Sequence, residues 1–213
     1  MLVVGLTGGV ASGKTTVSHI LQEEGAYLID ADQIARELVQ PRTPTWSELI
    51  RVFGKEILEA DESINRKKLA AMVFSNHQKR RLLEEILHPQ IRNEIDRRVE
   101  EIRKKDPEAV VVVDAALIVE TGAYRRMDKL IVVTATEAQQ IERLRKRTGA
   151  AQEEAKGIIS SQMALEAKVN VADFIIRNEG TLEETSKKAK EIFQELKTIA
   201  RHKRNQIPAS ETC

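Results

Sequence analysis

The chain has 213 residues, and its 34 Lys plus Arg against 33 Asp plus Glu leave a formal net charge of +1, so no overall field draws it to nucleic acid or to an anionic membrane. Its single cysteine, Cys213, excludes an intramolecular disulfide, a cysteine-rich zinc cluster and a Cys-His nucleophile, and fits a reducing cytosol. With no signal-peptide pattern and no run of about 18 apolar residues, the expectation is a soluble, cytoplasmic protein with no nucleic acid and no membrane among its partners.

Short runs rich in Val and Ile alternate with longer amphipathic segments, the pattern of a parallel sheet covered by helices. The first predicted strand is 2–6, followed by a helix over 14–24 and a second strand over 26–29. The interval 36–106 contains no convincing strand. In it, "TPTWSELIRVFG" has Pro44 near a helix start and Gly54 at its end, "NRKKLAAMVF" and "KRRLLEEIL" repeat apolar residues at three and four, and His88-Pro89 restarts a helix. Strands follow at 109–113, 129–133 and 174–176, with a helix over 137–147. Thr181-Leu182-Glu183-Glu184 forms a capping box for a last helix reaching about residue 201, and "RHKRNQIPASETC" reads as a poorly ordered tail. The strands do not alternate polar and apolar residues, which implies burial of both sheet faces.

Between the first strand and the first helix, Gly8-Gly9-Val10-Ala11-Ser12-Gly13-Lys14-Thr15 has the form Gly-x-x-x-x-Gly-Lys-Ser/Thr. Glycines let backbone N–H groups turn inward around phosphates, Lys14 neutralises the β/γ oxygens, and the Thr15 hydroxyl can ligate Mg²⁺. The following helix adds its positive N-terminal dipole. The expected phosphate-binding site is therefore Gly9, Val10, Ala11, Ser12, Gly13, Lys14, Thr15 and Thr16, and the loop alone does not choose among switch GTPases, ATP-driven motors and small-molecule kinases. No Asn-Lys-x-Asp motif for reading guanine occurs, which argues against a switch GTPase. The strand "VVVVD" delivers Asp114 as a candidate second metal ligand, or as an ordinary strand-end aspartate.

"LIDADQIAR" ends the second strand. If the backbone stays extended, Asp30 and Asp32 share one face, where a carboxylate could accept the proton of an attacking hydroxyl. Asp30 with Gln33 also fits a helix cap, so Asp30 reads as structural and Asp32 as functional. At this point the chain resembles the dephospho-coenzyme A kinase family, through "GLTGGVASGKTTV", "DADQIAREL", "ILHPQIR", "DAALIVETG", "QQIERLRKRTG", "SSQMALEAK" and "ADFIIRNEG". The resemblance implies ATP-dependent phosphorylation of the ribose 3′-hydroxyl of dephospho-coenzyme A, the last step of coenzyme A synthesis. It implies Asp32 as catalytic base beside Lys14, with Arg36, His88 and Arg92 on the acceptor side. By their residues alone, Arg36 could be a solvated helix position and His88 a helix cap.

Gln140, Arg143 and Arg147 share a helix face. On charge pattern this is a solvated basic surface; by the resemblance, Arg143 and Arg147 belong to a lid that closes over ATP. The chain departs from the family pattern at Ala11, where glycine is expected, at Ala116, where proline is expected, and at Ile158, where many members have arginine. Ala11 leads to the expectation of a loop backbone with φ below zero there. The fold expected is α/β, a P-loop kinase with a five-stranded parallel sheet and helices on both faces. Its nucleotide-binding core is 1–35, 107–142 and 170–203, its helical acceptor-binding insertion 36–106, its lid 143–169 and its tail 204–213. Mg²⁺ held by Thr15 and Asp114 is the expected cofactor, ATP and dephospho-coenzyme A are the expected partners, and the assembly is a monomer or small homo-oligomer. The competing readings are another small hydroxyl compound or a nucleoside monophosphate as the acceptor, or a nucleotide-dependent binding module acting on another macromolecule.

Overall fold

The computed structural model describes residues 1–74 and 76–205, with side chains to residue 203. Strands β1 (Leu2–Gly8), β2 (Tyr27–Asp30), β3 (Val110–Asp114), β4 (Lys129–Thr134) and β5 (Phe174–Arg177) form one parallel sheet in the order β2-β3-β1-β4-β5. Its register sets Leu6 beside Asp114 and Gly8 beside Val133, so the ends of β1, β3 and β4 reach one edge. Each step between parallel strands requires a long crossover connection.

Period-two patterning accounts for the two apolar layers. Leu2, Val4, Leu6, Val110, Val112, Ile131 and Val133 pack with Val17, Ile20 and Leu21 of α1 (Lys14–Glu23) and with Ile192, Phe193 and Leu196 of α9 (Leu182–Asn205). On the other layer, Leu130 and Val132 pack with Ile118 and Val119 and with Leu165 and Val169 of α8 (Leu165–Val169). Both faces are thus dry, as the continuous apolar strands require.

Among the described residues, 30–98 form one compact unit and 1–29 with 99–205 a larger one. The smaller unit holds α2 (Ala31–Leu38), α3 (Pro44–Phe53), α4 (Arg66–Phe74) and most of α5 (His77–Lys105). Its own core is Leu49, Phe53, Ile57, Ile64 and Leu69, closed by Trp46, Leu83, Ile86 and Leu87. Helix α3 begins where Thr43 accepts the Trp46 N–H and stops at Gly54, with φ 83°. Only an isolated bridge, Leu58 to Ile64, stands in for a strand among the described residues.

The helix does not restart at His88-Pro89. Pro89 lies inside a continuous 29-residue α5. A proline there forfeits one hydrogen bond and costs about 3 kcal/mol. Offsetting it are apolar contacts of Leu83, Ile86 and Leu87 and ion pairs along the helix, Arg80–Glu84, Arg81–Glu85, Arg97–Glu94 and Arg103–Glu100, each worth ~0.2–0.5 kcal/mol. The last helix is likewise longer than expected: α9 continues to Asn205, so its capping box (Thr181 N to Glu184 2.8 Å, Glu184 N to Thr181 3.1 Å) starts an element that absorbs the first part of the expected tail. The rest of that tail, with Cys213, lies outside the described residues. Residues 137–148 form α6, and 152–160 form α7. No described helix is long and apolar enough to cross a membrane.

Candidate active site

The phosphate loop runs from the end of β1 into α1, whose first-turn N–H groups have no side-chain cap. Such a helix start offers donors and a partial positive charge to an anion. Three elements hold the loop from outside. Gln140 of α6 donates to the Val10 carbonyl at 2.9 Å, Gln162 accepts the Val10 N–H at 2.8 Å, and Asn178, just past β5, donates to the Ser12 carbonyl at 2.9 Å. Arg143 adds bonds to the carbonyls of Ser12 at 3.5 Å and Asn178 at 3.0 Å. The glycines make room for this scaffold: a Cβ on Gly9 would strike the Gln140 amide, and one on Gly13 would strike that of Asn178. Gly13 also has φ 93°, a conformation with little cost only for glycine.

Ala11 does not have φ below zero. Its φ is 57°. The hydrogen bond from the Ser12 N–H to the Gly9 carbonyl, 3.1 Å, closes a turn in which Ala11 is the third residue, the position that a type II turn places in the left-handed region. For alanine that costs about 1–2 kcal/mol.

Lys14 and Asp114 meet directly, the ammonium on the carboxylate. Asp114 is 6% exposed at the end of β3, whereas Thr15 and Thr16 are exposed on α1. Past Asp114, the Ala116 carbonyl accepts from the Thr7 hydroxyl at 3.0 Å and from the Lys168 ammonium at 3.1 Å. These bonds hold the strand end and the segment after it in one place. Among the described residues no group of three or more His, Cys, Asp or Glu could hold a metal by itself. One hydroxyl and one carboxylate nevertheless suit Mg²⁺, which keeps several waters and takes other ligands from substrate phosphates.

The expected lid residues separate in role. Gln140 is buried and Arg143 half-buried, both engaged with the loop, while Arg147 is exposed and its guanidinium has no partner among the described residues. Ile158 is 38% exposed on α7, where an arginine would reach solvent. Helix α8 is packed on β4 as part of the core, although the sequence assigns 143–169 to a lid.

In the smaller unit, Asp30 accepts the Gln33 N–H at 2.9 Å and caps α2, the structural role expected for it. The backbone does not remain extended after it. Ala31 opens the helix, so Asp32 stands in the first turn, four residues before Arg36, because a strand end with a good capping residue turns directly into helix. His88 and Arg92 are likewise four apart on α5. Asp32, Arg36, His88 and Arg92 are all exposed, and none of their side chains has a hydrogen bond or ion pair among the described residues. Their neighbours contrast with them. Glu37 pairs with Arg98, which together with Gln33 holds its carboxyl below the usual carboxylate range. Glu94 binds Arg97 at 2.7 Å and Arg98 at 2.8 Å, and its pKa falls from 4.5 to about 2, the Arg97 bonds being the largest cause. Charges that build the unit are paired; the expected ligand set is left open to solvent.

The family model for dephospho-coenzyme A kinase matches residues 2–184. The chain belongs to the dephospho-coenzyme A kinase family. Members of the family similar to it include the dephospho-coenzyme A kinases of Geobacter metallireducens, 44% identical over 195 residues (92% of this chain, 96% of that one), and Bacillus anthracis, 41% identical over 198 residues (93% and 98%). Among solved structures, TT1252 from Thermus thermophilus aligns with TM-score 0.80 at 28% identity, covering 92% of this chain and 97% of that one. The dephospho-coenzyme A kinase of Campylobacter jejuni aligns with TM-score 0.62 at 27% identity, covering 91% and 96%. The family match spans both the phosphate loop and the helix bearing His88 and Arg92.

Sequence reasoning does not find Gln162, Asn178, Lys168 or Glu120 as parts of this region. Each acts on a backbone group or charge far away in the chain, and no local spacing announces such a partner.

Proposed function

We propose that the chain transfers the γ-phosphoryl group of ATP to the ribose 3′-hydroxyl of dephospho-coenzyme A, giving coenzyme A and ADP. The observation that carries the reading is the family match over residues 2–184, which includes the phosphate loop and the helices bearing Asp32, Arg36, His88 and Arg92. In this reading the amides of Gly9 to Thr16 and the Lys14 ammonium hold the triphosphate, and Thr15 and Asp114 hold Mg²⁺, which supplies charge neutralisation to the phosphate oxygens when bound. Arg36, His88 and Arg92 bind the anionic acceptor. Asp32 takes the proton of the 3′-hydroxyl as its oxygen bonds to the γ-phosphorus and the bond to the ADP oxygen breaks. Positioning and charge stabilisation carry most of phosphoryl transfer, so this set is chemically sufficient.

Arg147 is the arginine available to the transferring group, since Arg143 already engages two backbone carbonyls. Exclusion of water by the lid would suppress ATP hydrolysis. The proposal further comprises a cytoplasmic setting, a monomer or small homo-oligomer, and no nucleic-acid partner, in keeping with a net charge of +1. The test is ADP release from ATP with and without dephospho-coenzyme A, with the product identified by mass. Stimulated release accompanied by coenzyme A is expected; ADP release indifferent to the acceptor would overturn the assignment.

A further inference from the structure

The turn Gly9–Ser12 has an alternative that this chain should prefer. With the Ser12 N–H bonded to the Gly9 carbonyl at 3.1 Å and only Ala11 of its two central residues at positive φ, the turn is type II. Type I closes with the same hydrogen bond and differs by a flip of the central peptide, Val10–Ala11, which returns the third residue to negative φ. Alanine favours type I and glycine tolerates type II. Something other than residue 11 must therefore hold the central peptide.

We propose that Gln140 is a positioning residue that locks the Val10–Ala11 peptide in its type II orientation and thereby keeps the Ala11 N–H available to a phosphate. The Gln140 amide donates to the Val10 carbonyl at 2.9 Å, from a side chain on α6 that is only 6% exposed and lies against the open side of Gly9. A trans peptide points its C=O and N–H in opposite directions, so anchoring the Val10 carbonyl to α6 turns the Ala11 N–H away from α6. That N–H has no protein acceptor among the described residues. A flip to type I would break the Gln140 bond and withdraw the donor. Gln162 provides an internal contrast. It binds the Val10 N–H at 2.8 Å, which belongs to the preceding peptide, and that peptide has the same orientation in both turn types.

The inference rests on the loop's binding ATP, and its test separates binding from transfer. ATP affinity is measured by calorimetry on the full chain for wild type, Gln140→Met, Ala11→Gly, Gln162→Met, and Gln140→Met and Gln162→Met each combined with Ala11→Gly, with circular dichroism melting to establish folding. Gln140→Met keeps the side-chain length and removes the donor. It is expected to weaken ATP binding about tenfold, equivalent to ~1.4 kcal/mol, the scale of the left-handed alanine it no longer restrains. In the Ala11→Gly background the same substitution is expected to cost no more than about threefold, because glycine keeps the type II turn without the anchor. Gln162→Met is expected to show no such rescue by Ala11→Gly. An unchanged affinity in Gln140→Met, or an undiminished tenfold loss in the Ala11→Gly background, would overturn the inference. Tight ATP binding by wild type without transfer to dephospho-coenzyme A would overturn the proposed function and leave the turn assignment standing.

Discussion

Lys168 is among the largest fully buried side chains of the described residues, 1% exposed, although lysine is among the residues least often buried. Its ammonium lies 2.6 Å from a Glu120 carboxylate oxygen and donates to the Ala116 carbonyl at 3.1 Å. Both Glu120 oxygens are sealed from solvent and have no other partner among the described residues. Replacing Lys168 by Met keeps the apolar stem and removes only the charge, leaving the Glu120 carboxylate uncompensated. Breaking a buried pair in this way costs about 3–5 kcal/mol, whereas replacing both partners by apolar groups is often neutral or stabilising. For a chain of this size each kcal/mol moves the melting midpoint by about 2–4 °C, so Lys168→Met should melt about 6–20 °C lower. Lys168→Met with Glu120→Leu should recover most of that loss, since the Ala116 carbonyl still accepts from Thr7 at 3.0 Å. Melting followed by circular dichroism, together with urea titration, measures both. A single variant within about 1 kcal/mol of wild type, or a double variant as unstable as the single, would refute the reasoning.

Three further outcomes are expected. Asp32→Asn should keep ATP affinity and lower turnover with dephospho-coenzyme A by about 10²–10⁴, the usual scale for a removed general base; a variant retaining full turnover in the coupled ADP assay contradicts the assignment. Arg147→Ala should lower turnover by about 10³ while changing stability by less than about 0.5 kcal/mol, because its guanidinium is exposed and has no partner among the described residues; an unaltered turnover frees Arg147 of that role. Glu94, whose carboxyl is depressed from 4.5 to about 2, stabilises the folded state fully above pH 4.5 and loses that contribution as pH falls toward 2. Allowing for solvent screening, the contribution is about 1–2 kcal/mol, and Glu94→Gln should flatten the acid limb of urea-derived stability between those values; an unchanged limb argues against the depressed carboxyl.

Local signals in the sequence are sufficient for much of the molecule. The strand positions follow from runs such as Val110–Val113, the start of α3 from Thr43 and Pro44, and the start of α9 from the box of Thr181 and Glu184, because strands and caps are specified by residues within a few positions of one another. The phosphate loop is legible for the same reason: glycines and a lysine at fixed spacing act on their own backbone. Where a local rule and tertiary context compete, the sequence misleads. Pro89 suggests a break that the packing of Leu83, Ile86 and Leu87 overrides.

What the sequence by itself determined is the fold class, the phosphate loop and, through the ordered motifs, the family. Only the tertiary structure decided which of the polar residues hold that loop and which stay open for ligands. Arg143 and Arg147 look alike in sequence, yet the first engages Ser12 and Asn178 and the second faces solvent. Ala11 looks like a position for negative φ, yet bonds from residues 130 and more positions away, Gln140 to Val10 and Asn178 to Ser12, hold a turn that forces it positive. The reason is physical: a hydrogen bond across the sheet depends on which strand ends lie side by side, and strand order is a property of the whole packed chain rather than of any window along it.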